Sequence, residues 1–285
     1  MLLRDKFATA SAIFLLILAV FAVIGPSLVG EQATRMALKQ RNMAPGSLEA
    51  GWIYVLGADN LGRSILARLI VGAQNTLGIA LAAGLFAMVI GGALGLVAGY
   101  VGRWVGNVIM RLADVVMSFP SLLLALVVLF MLGQGLGNLV LVLAITRVPI
   151  YLRTTRAEVL EIRERMFVSA AKTMGASSLR IILRHILPIV TPTLITIAAV
   201  DFATIILAES ALSFLGLGIQ PPAFTWGAMV ADGRNYLNNA WWLAFWPGLA
   251  IMLTTLSLNL LSNWIRIVND PQQQWRLYSL RQAKK

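Results

Sequence analysis

Residues 76–102 read TLGIALAAGLFAMVIGGALGLVAGYVG and contain no Asp, Glu, Lys or Arg. A helix needs about 20 apolar residues to cross the hydrocarbon core of a bilayer, so this stretch is long enough to span it. The chain of 285 residues is 59% hydrophobic and only 12% charged. Soluble globular proteins carry about 25% charged residues. The sequence therefore predicts an all-α, polytopic membrane protein.

Other apolar runs along the chain predict about six transmembrane helices in total. The first run follows basic residues and precedes further spans, which favours a retained helix over a cleaved signal peptide. The charge-free run 115–146 is too long for one span, and the glycine-rich segment 133–138 divides it. The predicted spans are 7–29, 76–102, 112–132 and 139–155, a fifth that follows Pro188 and Pro192 to about Phe214, and 242–265.

The polar stretch between the first two spans divides the chain into four predicted parts. Within it, apolar side chains recur at helical spacing opposite Arg63 and Arg68, which predicts a short amphipathic helix at the membrane surface. These apolar residues are Leu61, Ile65, Leu66 and Leu69. The predicted parts are a first helix with the start of an extracytoplasmic segment (1–55), an amphipathic extracytoplasmic segment (56–75), a main transmembrane domain (76–268) and a cytoplasmic tail (269–285).

The distribution of basic residues predicts the orientation of the chain. If the N-terminus lies inside, 17 of the 23 Lys and Arg residues fall in cytoplasmic segments and 6 on the opposite side. Cytoplasmic segments of membrane proteins carry the excess of Lys and Arg. We therefore expect both termini in the cytoplasm.

Composition also excludes several classes of function. The net charge of +11 comes from basic residues in short stretches between apolar spans, whereas nucleic-acid binders gather them on one solvated face. The chain has no cysteine and a single histidine, His185, so it lacks thiolate and histidine-based metal sites. No G-x-x-x-x-G-K-[ST] stretch is present to hold nucleotide phosphates. We expect no catalytic residue, metal, cofactor or nucleic-acid partner.

Small residues recur at every fourth position of the second predicted span. Such a face allows helix backbones to approach closely, which matters because lipid gives helices no hydrophobic reason to associate. Packing against a neighbouring span is the favoured interpretation, and a moving interface around a pathway is the alternative. The small residues are Ala83, Ala87, Gly91, Gly95 and Gly99.

Two acidic residues, Asp201 and Glu209, lie eight residues apart in the fifth predicted span, on roughly one helical face. Charged groups are costly within a membrane and therefore mark candidate functional sites. These two could bind a coupling ion or a cationic substrate, or they could be buried partners of a neighbour's Arg or Ser. The structural interpretation is slightly favoured, because no chain of ionisable residues crosses several spans.

The charged stretch 163–188, RERMFVSAAKTMGASSLRIILRHILP, predicts a helix–turn–helix on the cytoplasmic face. Gly175 can adopt the left-handed conformation that ends a helix, and an amphipathic stretch ending in proline follows it. Ala170 and Ala171 give the first helix a smooth surface that fits the groove of another protein.

This stretch resembles the EAA loop of ATP-binding-cassette (ABC) importer permeases, whose pattern is E-A-A, three residues, Gly, and about ten residues to an I/L-P end. The corresponding residues are Ser169-Ala170-Ala171, Gly175 and Leu187-Pro188, with Ser169 in place of the family's glutamate.

Further motifs narrow the resemblance to the C-type permeases of the dipeptide/oligopeptide/nickel group. LGADNLGR at 56–63 is similar to the LGTDxLGRD stretch of that group. The other matching stretches follow in the order of the group: SFPS at 118–121, ESALSFLGLG at 209–218, QPP at 220–222, TWG at 225–227, PG at 247–248 and NDP at 269–271.

The resemblance implies a type I ABC importer transmembrane domain over 76–268, with its EAA-like loop at 156–190, in the inner membrane of a bacterium. It implies a heterodimer with a second, related permease, together with two ABC ATPase subunits and an extracytoplasmic solute-binding protein. Ser169, Ala170, Ala171 and Gly175 would then form the ATPase-coupling loop. Arg163, Arg165 and Lys172 would be flanking contacts.

The resemblance leaves the solute open among dipeptides, oligopeptides, glutathione, opines and nickel. Peptide is favoured on family frequency alone. The alternative from another class is a secondary transporter driven by an ion gradient, which would usually show inverted repeats and interrupted helices. No convincing internal repeat is visible, and a large cytoplasmic loop has no role in that scheme.

Overall fold

The computed structural model describes residues 5–47 and 50–269. Within these ranges the chain is helical, and Ala58 and Ser64 form one isolated bridge. Five of the described helices are long and apolar enough to cross a membrane, and the number is six when the bent pair Arg103–Met117 and Ser121–Leu132 is counted as one span. The predicted all-α fold with about six transmembrane helices is therefore confirmed. Arg4 and the predicted tail beyond residue 269, including Asp270-Pro271, lie outside the described residues.

The helices are numbered in chain order. A π-helical turn, Ile182–Ile186, joins α7 to α8, so that Ser178–Phe214 is one continuous helix. The helices are α1 Lys6–Thr34, α2 Ile65–Val101, α3 Arg103–Met117, α4 Ser121–Leu132, α5 Leu136–Ile162, α6 Met166–Thr173, α7 Ser178–Ile181, α8 Leu187–Phe214, α9 Trp226–Gly233 and α10 Trp242–Asn269. Short 3-10 turns lie at Leu38–Gln40, Trp52–Tyr54 and Arg234–Tyr236.

The third span differs from its prediction as one helix over 112–132. It consists of α3 and α4, which meet at an angle of 89°. Pro120 causes the break, because it has no backbone N–H and disfavours a helical conformation at the residue before it. With 12 residues, α4 is about 18 Å long and cannot cross the hydrocarbon core by itself.

The predicted surface helix over residues 61–69 is wrong. Leu61 lies in a turn, and α2 begins only at Ile65, where the Ser64 hydroxyl accepts a bond from the Ala67 N–H at 3.2 Å. From there α2 continues without interruption for 37 residues. Arg68 is buried rather than turned to the membrane surface, because it pairs with Asp59. A buried ion pair thus replaces the expected amphipathic pattern.

The fourth and fifth spans are longer than predicted. α5 extends to Ile162, and the helix that contains the fifth span begins at Ser178, ten residues before Pro188. Prolines are tolerated within membrane helices where local 3-10 or π-helical turns help to satisfy the freed backbone groups. Here the π-helical turn Ile182–Ile186 lies just before Pro188.

The small-residue face of α2 packs against α5, as favoured from the sequence. A Cβ built on Gly91 would lie 2.6 Å from the Val148 carbonyl oxygen, and one on Gly95 would lie 2.5 Å from the Thr155 Cβ. One on Gly99 would lie 2.6 Å from the Val159 Cβ. The two backbones are therefore in close contact along three successive turns of α2.

We predict that Gly95→Ala destabilises the protein by roughly 1–3 kcal/mol, because the added methyl group overpacks a fixed helix–helix contact. Thermal unfolding of the detergent-solubilised protein measures the change. The matched control is Gly78→Ala on the same helix, because a Cβ built on Gly78 would meet no atom within 4 Å. Equal unfolding temperatures for the two variants would contradict the close contact.

Candidate functional site

The stretch 163–188 forms the predicted helix–turn–helix. Gly175 has a φ of +82° and ends α6. The Ala176 N–H donates to the Ala171 carbonyl and the Gly175 N–H to the Lys172 carbonyl, both at 3.0 Å. These are the two bonds of a Schellman motif. The prediction that a left-handed glycine ends the first helix is therefore confirmed.

One side of α6 is fixed against the bundle and the other is open. Val168 is fully buried in the main hydrophobic core, and Ala171 packs against that core. On the open side, Met166 is 89% exposed and Met174 is 86% exposed. We call the open side the α6 face, and it consists of Met166, Ser169, Ala170, Thr173 and Met174. Of the predicted coupling residues, Ser169, Ala170 and Gly175 are exposed and Ala171 is partly buried.

All three basic residues predicted to flank an ATPase contact also make contacts within this chain. The Arg163 guanidinium donates to the Gly99 carbonyl at 2.9 Å, and the Lys172 Nζ lies 5.4 Å from the centre of the Tyr100 ring. Both contacts attach the loop to the C-terminal end of α2. Arg165 is half exposed and pairs with Glu161 at 2.6 Å. The sequence did not reveal these anchors, because they depend on where α2 ends.

Asp201 lies in α8 and is paired with α5. Its carboxylate is 3.4 Å from the Arg147 Nε and accepts a bond of 3.3 Å from the Tyr151 hydroxyl. The Asp201 side chain is 5% exposed, whereas that of Arg147 is 21% exposed. Asp201 is therefore enclosed and Arg147 partly exposed. Of the two interpretations of Asp201, this geometry favours a buried acid that pairs with an Arg of a neighbouring helix.

Glu209 is fully buried among hydroxyl groups. Ser213 donates to its carboxylate at 2.6 Å and Ser210 at 3.4 Å, and Thr225 donates to the Ser213 hydroxyl at 3.2 Å. Thr225 caps α9, so this cluster connects the end of α8 to the start of α9. A carboxyl group with no exposed surface and several hydroxyl partners is suited to holding helices together.

A second buried network, not foreseen from the sequence, lies before α2. Asp59 accepts bonds from the backbone N–H groups of Leu61 and Arg63 at 2.9 and 2.8 Å. Its other oxygen is 2.7 Å from both the Arg63 Nε and an Arg68 terminal nitrogen. The Arg68 guanidinium also lies 4.6 Å from the centre of the Phe224 ring. The LGADNLGR stretch thus folds around one carboxylate, whose two arginine partners lie four and nine residues later in the chain.

Comparison with known families identifies the chain. Residues 91–274 match the family described as "Binding-protein-dependent transport system inner membrane component". The chain belongs to this family. It is 38% identical over 270 residues to the di/tripeptide transport system permease protein DppC of Pseudomonas aeruginosa, covering 94% of this chain and 89% of that one.

Other relatives of this inner membrane component have similar lengths and degrees of identity. The probable D,D-dipeptide transport system permease protein DdpC of Escherichia coli is 37% identical, with 95% of this chain and 90% of that one covered. The glutathione transport system permease protein GsiD of Escherichia coli is 38% identical, with 94% and 88% covered. The expectation of a transport permease rather than an enzyme is therefore confirmed.

The fold of this inner membrane component is also found in a solved transporter. A chain of the MetNI methionine ABC transporter, in an inward-facing conformation, matches with a TM-score of 0.56 and 20% sequence identity. The match covers 71% of this chain and 96% of that one. A second crystal form matches with a TM-score of 0.55 and 22% identity. Membership in this family places the chain in a bacterial inner membrane and implies that it works with an ATPase and a solute-binding protein.

Proposed function

We propose that this chain is one of two permease subunits that form the pathway of an ATP-driven peptide importer, and that its α6 face docks onto one of two ATPases. The α6 face carries this proposal. It exposes two methionines beside small side chains, a combination that packs into a groove of another protein. Its reverse side is anchored to α2 and the bundle core, so force applied to the face reaches the membrane helices.

The peptide class is supported by the relatives. DppC, DdpC and GsiD are named for di/tripeptide, D,D-dipeptide and glutathione transport. These solutes are short, carry amide bonds and bear at least one free carboxylate. A chain with more than a third of its residues in common with each of them is expected to conduct the same chemical class.

A second permease is supported by the exposed apolar surface of α3 and α4. Trp104, Phe130 and Met131 are 75%, 85% and 77% exposed, respectively. α4 is too short to span the membrane alone, so its surroundings must include protein or water as well as lipid. We assign this surface to the partner permease. The charge distribution supports both termini in the cytoplasm, and the α6 face then lies on the ATPase side.

Reconstitution of the full complex tests the proposed function. Proteoliposomes with the partner permease, the ATPases and the binding protein are expected to take up Ala-Ala only when ATP and the binding protein are both present. Ionophores that collapse ion gradients are expected to have no effect on the initial rate. Uptake without ATP that an ion gradient drives would instead support a secondary transporter. Absence of peptide uptake by the complete, ATP-hydrolysing complex would contradict the peptide class.

A further inference from the structure

The pair formed by Arg147 and Asp201 lies deep within the membrane-spanning helices. Arg147 is eleven residues from the start of α5, and Asp201 is thirteen residues from the end of α8, which places both about 16–20 Å from the same end of the bundle. A partly exposed guanidinium at that depth is too costly to face lipid. It must face either water in the pathway or another protein.

The pair presents a cation and not an anion. Asp201 is enclosed and already accepts contacts from Arg147 and Tyr151. Arg147 lies a long 3.4 Å from Asp201 through its Nε, and within the described residues its two terminal nitrogens make no hydrogen bond. These nitrogens form the fork that binds a carboxylate with two parallel bonds. Thr204, one turn beyond Asp201 on α8, is also exposed and adds a hydroxyl group near this depth.

We infer that the Arg147 guanidinium binds the carboxylate of the peptide as it crosses the membrane, with Asp201 as the residue that positions Arg147. This inference rests on the proposed peptide import. A transport site must bind its solute strongly enough to admit it and weakly enough to release it. Asp201 meets the second requirement, because it keeps part of the Arg147 charge neutralised and competes with the peptide carboxylate.

A single introduced cysteine tests the inference in the reconstituted complex, because the native chain has none. Arg147→Cys is combined with Asp201→Asn so that no charge stays unpaired, and cysteines of the partner chains are replaced. Ala-Ala uptake is expected to fall roughly tenfold to a hundredfold, the range for a lost charged hydrogen bond. Aminoethyl methanethiosulfonate, which attaches a cationic group to the thiol, is expected to restore uptake. Methyl methanethiosulfonate, which attaches a neutral group, is expected to leave it low.

Rescue by the cationic reagent alone would show that the charge acts on the peptide, since its structural partner Asp201 is absent from this variant. A thiol that does not react, equal effects of the two reagents, or wild-type uptake by the unmodified variant would each overturn the inference. The matched control is Arg153→Cys on the same helix α5, combined with Asp114→Asn on α3, which removes an exposed ion pair of 2.6 Å and is expected to leave uptake unchanged.

Arg147→Lys gives a second test in the native background, where folding is not in question because the ion pair with Asp201 is kept. Loss of the two-nitrogen fork is expected to raise the KM for Ala-Ala about threefold to tenfold. An unchanged KM would show that the pair is purely structural. A wild-type complex without Ala-Ala uptake would contradict the proposed peptide import itself, whereas wild-type uptake with unaffected variants would contradict only the carboxylate site.

Discussion

Ala170→Glu is expected to reduce ATP-driven peptide uptake by roughly a hundredfold or more, because it places an unpaired charge in the proposed ATPase contact, where water would be excluded. Ala170 is exposed on the α6 face between Met166 and Met174, and no basic residue of that face could neutralise the new carboxylate. The folded chain itself should tolerate the change, since Val168 and Ala171 hold the opposite side of α6. Uptake and the amount of ATPase that copurifies with the permeases are the two measurements.

The matched control for this substitution is Ala157→Glu, an exposed alanine near the C-terminal end of α5 and outside the α6 face. It adds the same side chain on the same side of the membrane and is expected to leave uptake unchanged. If Ala170→Glu transports normally and retains its ATPase, the α6 face is not the docking surface. Equal losses in both variants would point to a general effect of added negative charge.

Asp59→Asn is expected to destabilise the folded protein by roughly 3–5 kcal/mol, the range for a buried ion pair that loses one partner. The Asp59 carboxylate holds Arg63, Arg68 and two backbone N–H groups. Arg68 is 4% exposed, so an amide in place of the acid leaves its charge enclosed, with the exposed Asp232 at 3.7 Å as its remaining acidic contact. The measurements are the yield of folded protein and its thermal unfolding temperature in detergent.

Asp232→Asn is the control, because Asp232 contacts the same guanidinium but its side chain is exposed to solvent. Its side chain is 68% exposed and lies 3.7 Å from Arg68. Exposed ion pairs contribute about 0–1 kcal/mol, so this variant is expected to unfold close to the wild-type temperature. A loss of stability as large as that of Asp59→Asn would show that Asp232, and not Asp59, balances Arg68.

The apolar spans could be predicted from the sequence because a membrane helix must form its backbone hydrogen bonds internally and can contain few charged residues. The helix–turn–helix was predictable for a local reason, since Gly175 alone supplies the left-handed residue that ends α6. The break between α3 and α4 was missed because the residues on both sides of Pro120 are equally free of charge, so composition gives no sign that the helix ends there. The pattern around Arg68 misled for a related reason: helical spacing does not tell a surface arginine from one paired with Asp59.

The candidate site was less predictable than the fold. Asp201 stood out as an acid within a span, but its partners Arg147 and Tyr151 lie 54 and 50 residues earlier in the chain. Only the packing of α5 against α8 brings them together. The same holds for Arg163 and Lys172, whose contacts with Gly99 and Tyr100 join segments that are distant in sequence. Their interpretation as partner contacts came from the family resemblance and stays a prediction.

The joint between α6 and the helix Ser178–Phe214 consists of only four residues, 174–177. Gly175 is held by Schellman bonds, and the Ser177 side chain accepts from the Arg180 N–H at 3.4 Å, so backbone bonds fix both ends of the joint. Such a short, hydrogen-bonded linkage leaves α6 little freedom to move independently of the helix Ser178–Phe214. If the α6 face docks onto the ATPase as proposed, a push on α6 would travel along this helix to the depth of Asp201, and the ATPase stroke and the movement of the pathway would be a single mechanical event.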